Sequence, residues 1–429
     1  MTDSAPERRN TARILTASLV GTSVEFYDFY IYATATSLVF GPLFFPASSP
    51  SVQLLFSYAS FGLAFLARPL GGILFGHFGD RVGRKSTLVA SLLLMGVSTA
   101  AIAILPTYAM IGWVAPLLLC LLRFGQGLGL GGEWSGAALL AVENAPKGWR
   151  ARYGMMPQLG APVGFIAANG FFLILAVTLT PDQFRDWGWR VPFLASAALV
   201  ALGLWVRLKL TETAAFAAAV RDEAPERVPV KSLLKDHLGP TLAGTLGVIC
   251  CFALYYIATA FALGFGTTQL GYDRSSFLQA QLGAILFMAV GILISGWLAD
   301  KSSERRVLLG GCLATILVGA TLPALLGSGS LAGVFAFMAL ALLAMGFVYG
   351  PLGAWLPSLF PARVRYTGTS VAFNLGGVIG GGLTPALAQL MAERGGLIPV
   401  GAYLAGAAVL SAVGLMAAGK RNEGSTLDQ

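Results

Sequence analysis

Two carboxylates three residues apart, Glu25 and Asp28, lie in the stretch GTSVEFYDFYIY (residues 21–32), inside an otherwise apolar run. Tyr32 continues the same helical face at i, i+3, i+7, with Phe29 beside it. A third acid, Glu133, and two arginines, Arg68 and Arg123, are embedded in other apolar runs. Ionisable groups in membrane segments are costly and mark ion or substrate pathways. Apolar burial favours the neutral form of an acid, whereas a nearby guanidinium favours the anion. A carboxylate balanced between the two can change protonation when its partner moves. Such a group links a proton to an anionic solute without any covalent step.

The elements that must hold these groups are membrane helices. Of 429 residues, 56% are hydrophobic and 11% charged, against roughly 25% charged in a soluble domain. Cutting the apolar runs into lengths of about 20 residues yields about twelve spans. They fall near 14–40, 52–75, 87–105, 113–141, 155–179, 190–208, 241–265, 276–299, 306–326, 331–356, 367–391 and 397–418. Long apolar runs without strand-like alternation argue helices and not a barrel. The expected fold is therefore an all-α membrane protein of twelve transmembrane helices.

The net charge of +8 reports topology. With the N-terminus inside and the spans alternating, most Lys and Arg fall in cytoplasmic segments, which places both termini in the cytoplasm. No nucleic-acid partner is implied. The head MTDSAPERRNTAR leads straight into the first long helix, so no cleavable signal peptide is expected. Cys120, Cys250, Cys251 and Cys312 all lie in apolar helices as small buried hydrophobes, with no disulfide or metal spacing. His77 and His237 fall in cytoplasmic segments away from the embedded acids, which argues against an enzyme. GQGLGLGG (125–132) has no preceding strand, so it is no dinucleotide loop. Its glycines, like Gly160, Gly164 and NLGGVIGGG (374–382), let helices approach closely.

The longest polar interruption divides the spans six and six. The expected organisation is a tail at 1–13, a six-helix bundle at 14–208, a cytoplasmic linker at 209–240, a second six-helix bundle at 241–418 and a tail at 419–429. The halves echo each other. GGILFGHFGDRVGRKSTL (71–88) finds a weaker copy in GILISGWLADKSSERRVLL (291–309), and ENAPKGWRARYG (143–154) matches SLFPARVRYTG (358–368). Paired repeats of this kind point to a transporter with a midplane site between its halves.

The loop from Gly76 to Lys85 resembles the signature loop between helices 2 and 3 of the major facilitator superfamily. EFYDF in the first helix, ARPLGG (67–72), RFGQGLGLGGEW (123–134), WGWRVPF (187–193) and FPARVRYTG (360–368) are similar to its metabolite:proton symporter branch. Members of that branch carry dicarboxylates, citrate, shikimate, or proline and betaine. The resemblance implies alternating access around a site between helices 1, 4, 5, 7, 10 and 11, with a proton as the coupling ion and no other cofactor or metal. It also implies a small-molecule metabolite as substrate, a bacterial inner membrane as location, and a chain that works as a monomer.

It further implies that helices 1 and 4 are neighbours. Asp28 is about 14 residues and roughly 21 Å into helix 1, and Arg123 sits at comparable depth in helix 4, so a direct Asp28–Arg123 pair is expected. Glu25 joins them as a candidate for proton coupling. Glu133, about 15 Å from Arg123 along the helix, reads equally as an inner proton relay or a hydrogen-bonded interhelical acid. Gln158 resembles a substrate-contacting glutamine of sugar carriers, and Asn374 occupies its matching place in the second repeat. Tyr32, Tyr255, Tyr256 and Tyr349 are candidate cavity phenols. The family resemblance makes Asp80, Arg84, Glu143, Arg150 and Arg152 one cytoplasmic latch, with Asp300, Arg305, Arg306, Arg363 and Arg365 as a second. ADKSSERR lacks the loop glycine, and Ser358 stands where relatives carry Glu, which implies a weaker second clamp.

Glu25, Asp28 and Glu133 outnumber Arg123, so this count gives a net negative cavity. That fits a monocarboxylate or a zwitterion better than a dianion, and the resemblance favours the monoanion. The function expected is proton-coupled uptake of an organic acid. The rivals are symport of a zwitterionic osmolyte or amino acid, a proton-driven efflux antiporter, and a transporter-derived receptor.

Overall fold

The computed structural model describes residues 5–46, 49–82, 84–209, 233, 235–361 and 364–418. The linker expected at 209–240 lies largely outside the described residues. Backbone groups in lipid have no water to bond, so each span must satisfy its own amides. Accordingly the described residues contain no strand, and helix occupies all twelve expected places. In order these are α1 Ala5–Ala35, α2 Pro50–Val82, α3 Arg84–Ala103, α4 Val114–Glu143, α5 Arg150–Thr178 and α6 Arg190–Lys209. The second set is α7 Leu238–Thr268, α8 Arg274–Lys301, α9 Glu304–Leu326, α10 Leu331–Ser358, α11 Arg365–Gly395 and α12 Leu397–Ala417. Among the described residues, nine helices are long and apolar enough to cross a membrane, and the bent pair Pro181–Gly188 with Arg190–Trp205 brings the number up to ten.

Glycine sets the closest contacts, and it does so at matching places in the two sets. A Cβ at Gly127 of α4 would run into the Ala64 backbone of α2, and one at Gly346 of α10 into the Gly291 backbone of α8. Gly160 and Gly164 of α5 lie against Thr22, Ser23 and Phe26 of α1, as Gly376 and Gly380 of α11 lie against α7. Small residues replace the hydrophobic effect as the means of association in lipid. Leucines such as Leu121, Leu293 and Leu313 remain exposed on the outer surface, the placing expected of side chains that face lipid.

The helices have two ends. Loops 144–149, 302–303 and 359–361 lie at the basic end, and loops 104–113, 179–189 and 269–273 at the far end. At the far end the WGWRVPF stretch gains a structural account. Trp189 is buried against Phe40, Phe44 and Phe193. Arg190 Nη1 donates to the Ala103 and Leu105 carbonyls that close α3, at 3.3 and 3.1 Å.

Gly127→Val and Gly346→Val should each cost about 1–3 kcal/mol by forcing the helix pairs apart. Gly21→Ala, whose Cβ meets nothing within 4 Å, should leave stability intact. Thermal unfolding of the detergent-purified variants checks this.

Candidate functional site

Asp28 of α1 and Arg123 of α4 turn to different neighbours. Asp28 faces α3 and α6. Ser196 Oγ donates to Asp28 Oδ1 at 2.5 Å, and Thr99 Oγ1 lies 3.4 Å from Oδ2. Arg123 faces the aromatic side of α1, with its guanidinium carbon 4.4 Å from the Phe29 ring centre, 4.0 Å from Tyr32 and 5.1 Å from Phe61. No ion pair joins Asp28 to Arg123, so the expected direct pair is corrected. Equal depth along two helices does not fix which way each side chain points. The link is indirect: Arg123 Nη1 donates to Gln126 Oε1 at 3.0 Å, and Gln126 Nε2 donates to Thr99 Oγ1 at 2.7 Å.

Arg68 is the residue the charge count left out. Its guanidinium lies 4.5 Å from the Phe29 ring centre and 5.1 Å from Phe65. Pro69 follows it inside α2. Arg68 Nε and Arg123 Nε and Nη2 are buried without a hydrogen-bond partner. Cation–π contact with desolvated rings is worth about 2 kcal/mol, yet it leaves these N–H groups unmet, and buried donors ordinarily have partners. An incoming carboxylate would supply them bidentately. The centre is therefore cationic where the embedded arginines meet, with Asp28 set aside in a cage of hydroxyls. The signal for Arg68 was present in the sequence as an embedded cation. Gln126, Thr99 and Ser196 gave no signal beyond being polar in an apolar run.

Of the candidate phenols, Tyr32 shares a hydrogen bond with Ser60 at 2.9 Å. Tyr256 meets Phe61 and Phe65 edge-on, and Tyr255 stacks on Tyr30. The Trp134 indole N–H is shared between Gln158 Oε1 at 3.0 Å and the Tyr349 hydroxyl at 3.2 Å. Gln158 Nε2 is left without a partner. Glu25 is buried within electrostatic reach of Tyr349. Glu133 is buried too and accepts from Ser91 Oγ at 3.0 Å.

Asn374 is engaged differently from its repeat mate. α4 breaks at Gly131–Gly132, which frees carbonyls for outside donors. Asn374 Nδ2 donates to Gly131 O at 2.6 Å and Tyr366 to Gly132 O at 2.8 Å. Trp134 of α4 stacks on Phe373 of α11 with ring centres 3.6 Å apart. These contacts close the path between the centre and the basic end. At the far end, Tyr58 and Ser37 both donate to Ala260 O, at 2.7 and 3.1 Å. Ala260 lies in a π-helical turn, Ile257–Phe261. Between the closures a cavity of about 10 Å³, bordered by Tyr30, Tyr255, Thr259 and Gln281, has room for a single water. Among the described residues, hydrogen bonds thus join the two sets of helices on both sides of the centre.

The two latches expected at the basic end are interlocked instead of separate. Asp300 of α8 accepts from Ala151 N at 2.8 Å, Arg152 N at 3.2 Å and Arg152 Nε at 2.7 Å. An acid from the second set of helices thus caps the first turn of α5, where a helix favours negative charge. This clamp is present despite the missing loop glycine, while Ser358 merely bonds its own helix at Trp355 O. Arg365 Nε donates to Phe360 O at 3.1 Å, with Glu143 and Arg150 within electrostatic reach. Arg305 bonds Met416 O within its own half at 3.2 Å, and Arg306 is exposed. The side chains of Asp80 and Arg84, and all of Arg363, lie outside the described residues.

Comparison with known proteins fits this geometry. The Major Facilitator Superfamily model matches residues 18–385. The chain is 48% identical to the inner membrane metabolite transport protein YhjE of Escherichia coli, covering 94% of this chain and 93% of that one. It is 39% identical to the shikimate transporter of the same organism, covering 94% and 93%. With the proline/betaine transporter of Salmonella typhimurium identity is 30%, covering 94% and 82%. Among solved structures, the partially occluded inward-open xylose transporter XylE of E. coli superposes with a TM-score of 0.73, covering 94% of this chain and 96% of XylE at 15% identity.

Hydrogen bonds to charged groups are worth about 1.5–3 kcal/mol, so Asp300→Ala should shift the population towards opening at the basic end by roughly tenfold or more. Spin labels on Pro146→Cys and Ser302→Cys, both at exposed positions, should then report longer distances. An unchanged distribution would remove Asp300 from the latch.

Proposed function

Because the chain belongs to the major facilitator superfamily, and is thus a membrane transporter and not an enzyme, we propose that it takes up a small organic acid together with a proton by alternating access. The observation that carries this reading is the pair of guanidiniums sharing the Phe29 ring with unmet N–H donors. A substrate carboxylate binds Arg123 and Arg68, while the rings of Tyr32, Phe61, Phe65 and Tyr256 wall its carbon skeleton. Gln158 and Tyr349 face the same centre from the basic side and meet the substrate's other polar groups. Asp28 carries the coupling proton, and Glu25 and Glu133 are the further acids on its route. One proton moving down about 100 mV contributes roughly 2.3 kcal/mol, enough for useful accumulation.

Arg68 changes the charge argument. With two cations at the ring cluster and Asp28 held aside, the centre suits an anion, and a zwitterionic osmolyte is disfavoured. Its ammonium group would seek the same ring faces that the guanidiniums already cover. Cationic efflux substrates meet the same repulsion.

The basic end is the cytoplasmic end by the distribution of Lys and Arg, with both termini inside and the bacterial inner membrane as the site of action. The six-helix bundles at 14–208 and 241–418 rock about the centre, joined by the linker at 209–240, and the chain works as a monomer. The Arg152–Asp300 clamp, together with Arg150, Glu143 and Arg365, biases the state closed to the cytoplasm, and Asp80, Arg84, Arg305, Arg306 and Arg363 are the further latch members that the family resemblance assigns.

In proteoliposomes tested with radiolabelled organic acids, shikimate first, Asp28→Asn should abolish accumulation driven by a pH gradient and retain exchange. Full accumulation by that variant would refute the proton role. Arg123→Ala and Arg68→Ala should each raise KM about tenfold or more, the loss of one charge-assisted contact. An unchanged KM for both would remove the carboxylate from this site.

A further inference from the structure

We propose that Gln126 and Thr99 act as positioning residues that connect anion binding at Arg123 to proton binding at Asp28. The inference rests on the proton-coupled reading above and assigns how its two ends communicate. Arg123, Gln126, Thr99, Asp28 and Ser196 are all buried, at 0–1% exposure. Because a guanidinium only donates, Gln126 must turn its oxygen to Arg123 and its NH2 group to Thr99. The observed contacts, 3.0 and 2.7 Å, have that polarity. Thr99 then accepts from Gln126 and has one hydrogen to give, with two acceptors in reach. These are Asp28 Oδ2 at 3.4 Å and the Met95 carbonyl at 3.0 Å.

That single hydrogen is the switch. With Asp28 ionised, Thr99 and Ser196 both donate to the carboxylate, and the Gln126 donor polarises the Thr99 hydroxyl to strengthen its bond. With Asp28 protonated, the acid donates to Thr99 Oγ1, and the Thr99 hydrogen turns to Met95 O. Both states satisfy the groups involved, and no proton passes along the chain of bonds. When a carboxylate draws Arg123 away, Gln126 loses the partner that fixes its orientation, and Thr99 loses its polarising donor. The anion of Asp28 is then less well held, and the Thr99 oxygen is open to accept the acid hydrogen. Anion binding therefore favours proton binding, which is the sign symport requires.

The other ionisable groups around Asp28 do not supply this link. Glu133 of α4 bears on it electrostatically and is itself held by Ser91. Tyr27 of α1 donates to Pro192 O of α6 at 3.0 Å. Glu25 lies one turn back, towards Tyr349. All members of the relay belong to α1, α3, α4 and α6, so it travels intact as the two sets of helices rock.

The test needs no known substrate. Infrared titration of the purified protein follows the protonated carboxyl band of Asp28, identified by its loss in Asp28→Asn. In Thr99→Val and in Gln126→Met the band should persist to higher pH by about one unit, since a donor to the anion is lost or weakened. Thr99→Ser, which keeps the hydroxyl, should restore the wild-type midpoint, and thermal unfolding confirms that the variants are folded. Arg123→Gln should shift the midpoint in the wild-type background and leave it unmoved in Gln126→Met. If the two effects simply add, Arg123 acts through space and the relay is overturned, with the coupling reading still standing. If the wild-type band does not titrate within the range where the protein is folded, proton coupling by Asp28 fails and the relay falls with it.

Discussion

The constraint on which the rest depends is that two guanidiniums are buried beside one phenylalanine with fewer acceptors than they have donors. Charge in a low-dielectric interior is tolerable only when it is paired, and truncating one member of such an arrangement is expensive. Here the pairing is incomplete by construction. Aromatic faces and one amide oxygen hold Arg123, aromatic faces hold Arg68, and three N–H groups wait. The glycine contacts serve this arrangement directly. Arg68 can approach Arg123 because Gly71 of α2 and Gly127 and Gly131 of α4 let the two backbones touch, leaving no room for any side chain.

A centre with unmet donors must be opened and closed cheaply, and the gates are built for that. At the far end the closure is a backbone carbonyl taking two hydroxyls. Towards the basic end, carbonyls at the break in α4 take an amide and a phenol, and a ring stack covers them. Each neutral bond is worth about 1 kcal/mol net, so neither gate alone commits the molecule to one state. Charge enters at the basic end, where Asp300 serves the first turn of α5 and Arg152 together. Both neutral gates take carbonyls at irregular turns, the Gly131–Gly132 break in α4 and the π-helical turn Ile257–Phe261 in α7.

The spans, the repeat, the glycine seams and the depth of the embedded charges were all legible in the sequence, since each follows from composition or spacing. Azimuth was not. Glu25, Asp28 and Tyr32 share a stripe, yet the roughly 100° step between successive residues lets Asp28 reach Ser196 while Phe29 and Tyr32 take the arginines. A depth argument could place Asp28 and Arg123 at one level but could not tell facing from adjacent. Asn374 shows a second limit. The repeat matches it to Gln158, yet Asn374 donates to the Gly131 carbonyl at the break in α4 while Gln158 accepts from Trp134. Arg68 was visible all along, yet counting it only takes three acids against one arginine to three against two, and what favours an anion is the placing of both guanidiniums at the Phe29 ring with Asp28 held elsewhere.

The embedded charges also divide unequally between the two sets of helices. Glu25, Asp28, Arg68, Arg123 and Glu133 all belong to the first six, whereas the groups the last six bring to the centre are neutral, namely Phe252, Tyr255, Tyr256, Tyr349 and Phe373. A rocking motion between rigid bundles would then leave the distances among the acids and arginines unchanged. What it alters is their surroundings: whether rings and phenols of the second set cover them, and which end admits water. Proton affinity inside the first set can follow such a change in dielectric without any charge being carried across the interface. On the proposed mechanism, the second set serves as a movable, uncharged wall, and the chemistry stays on one side of it.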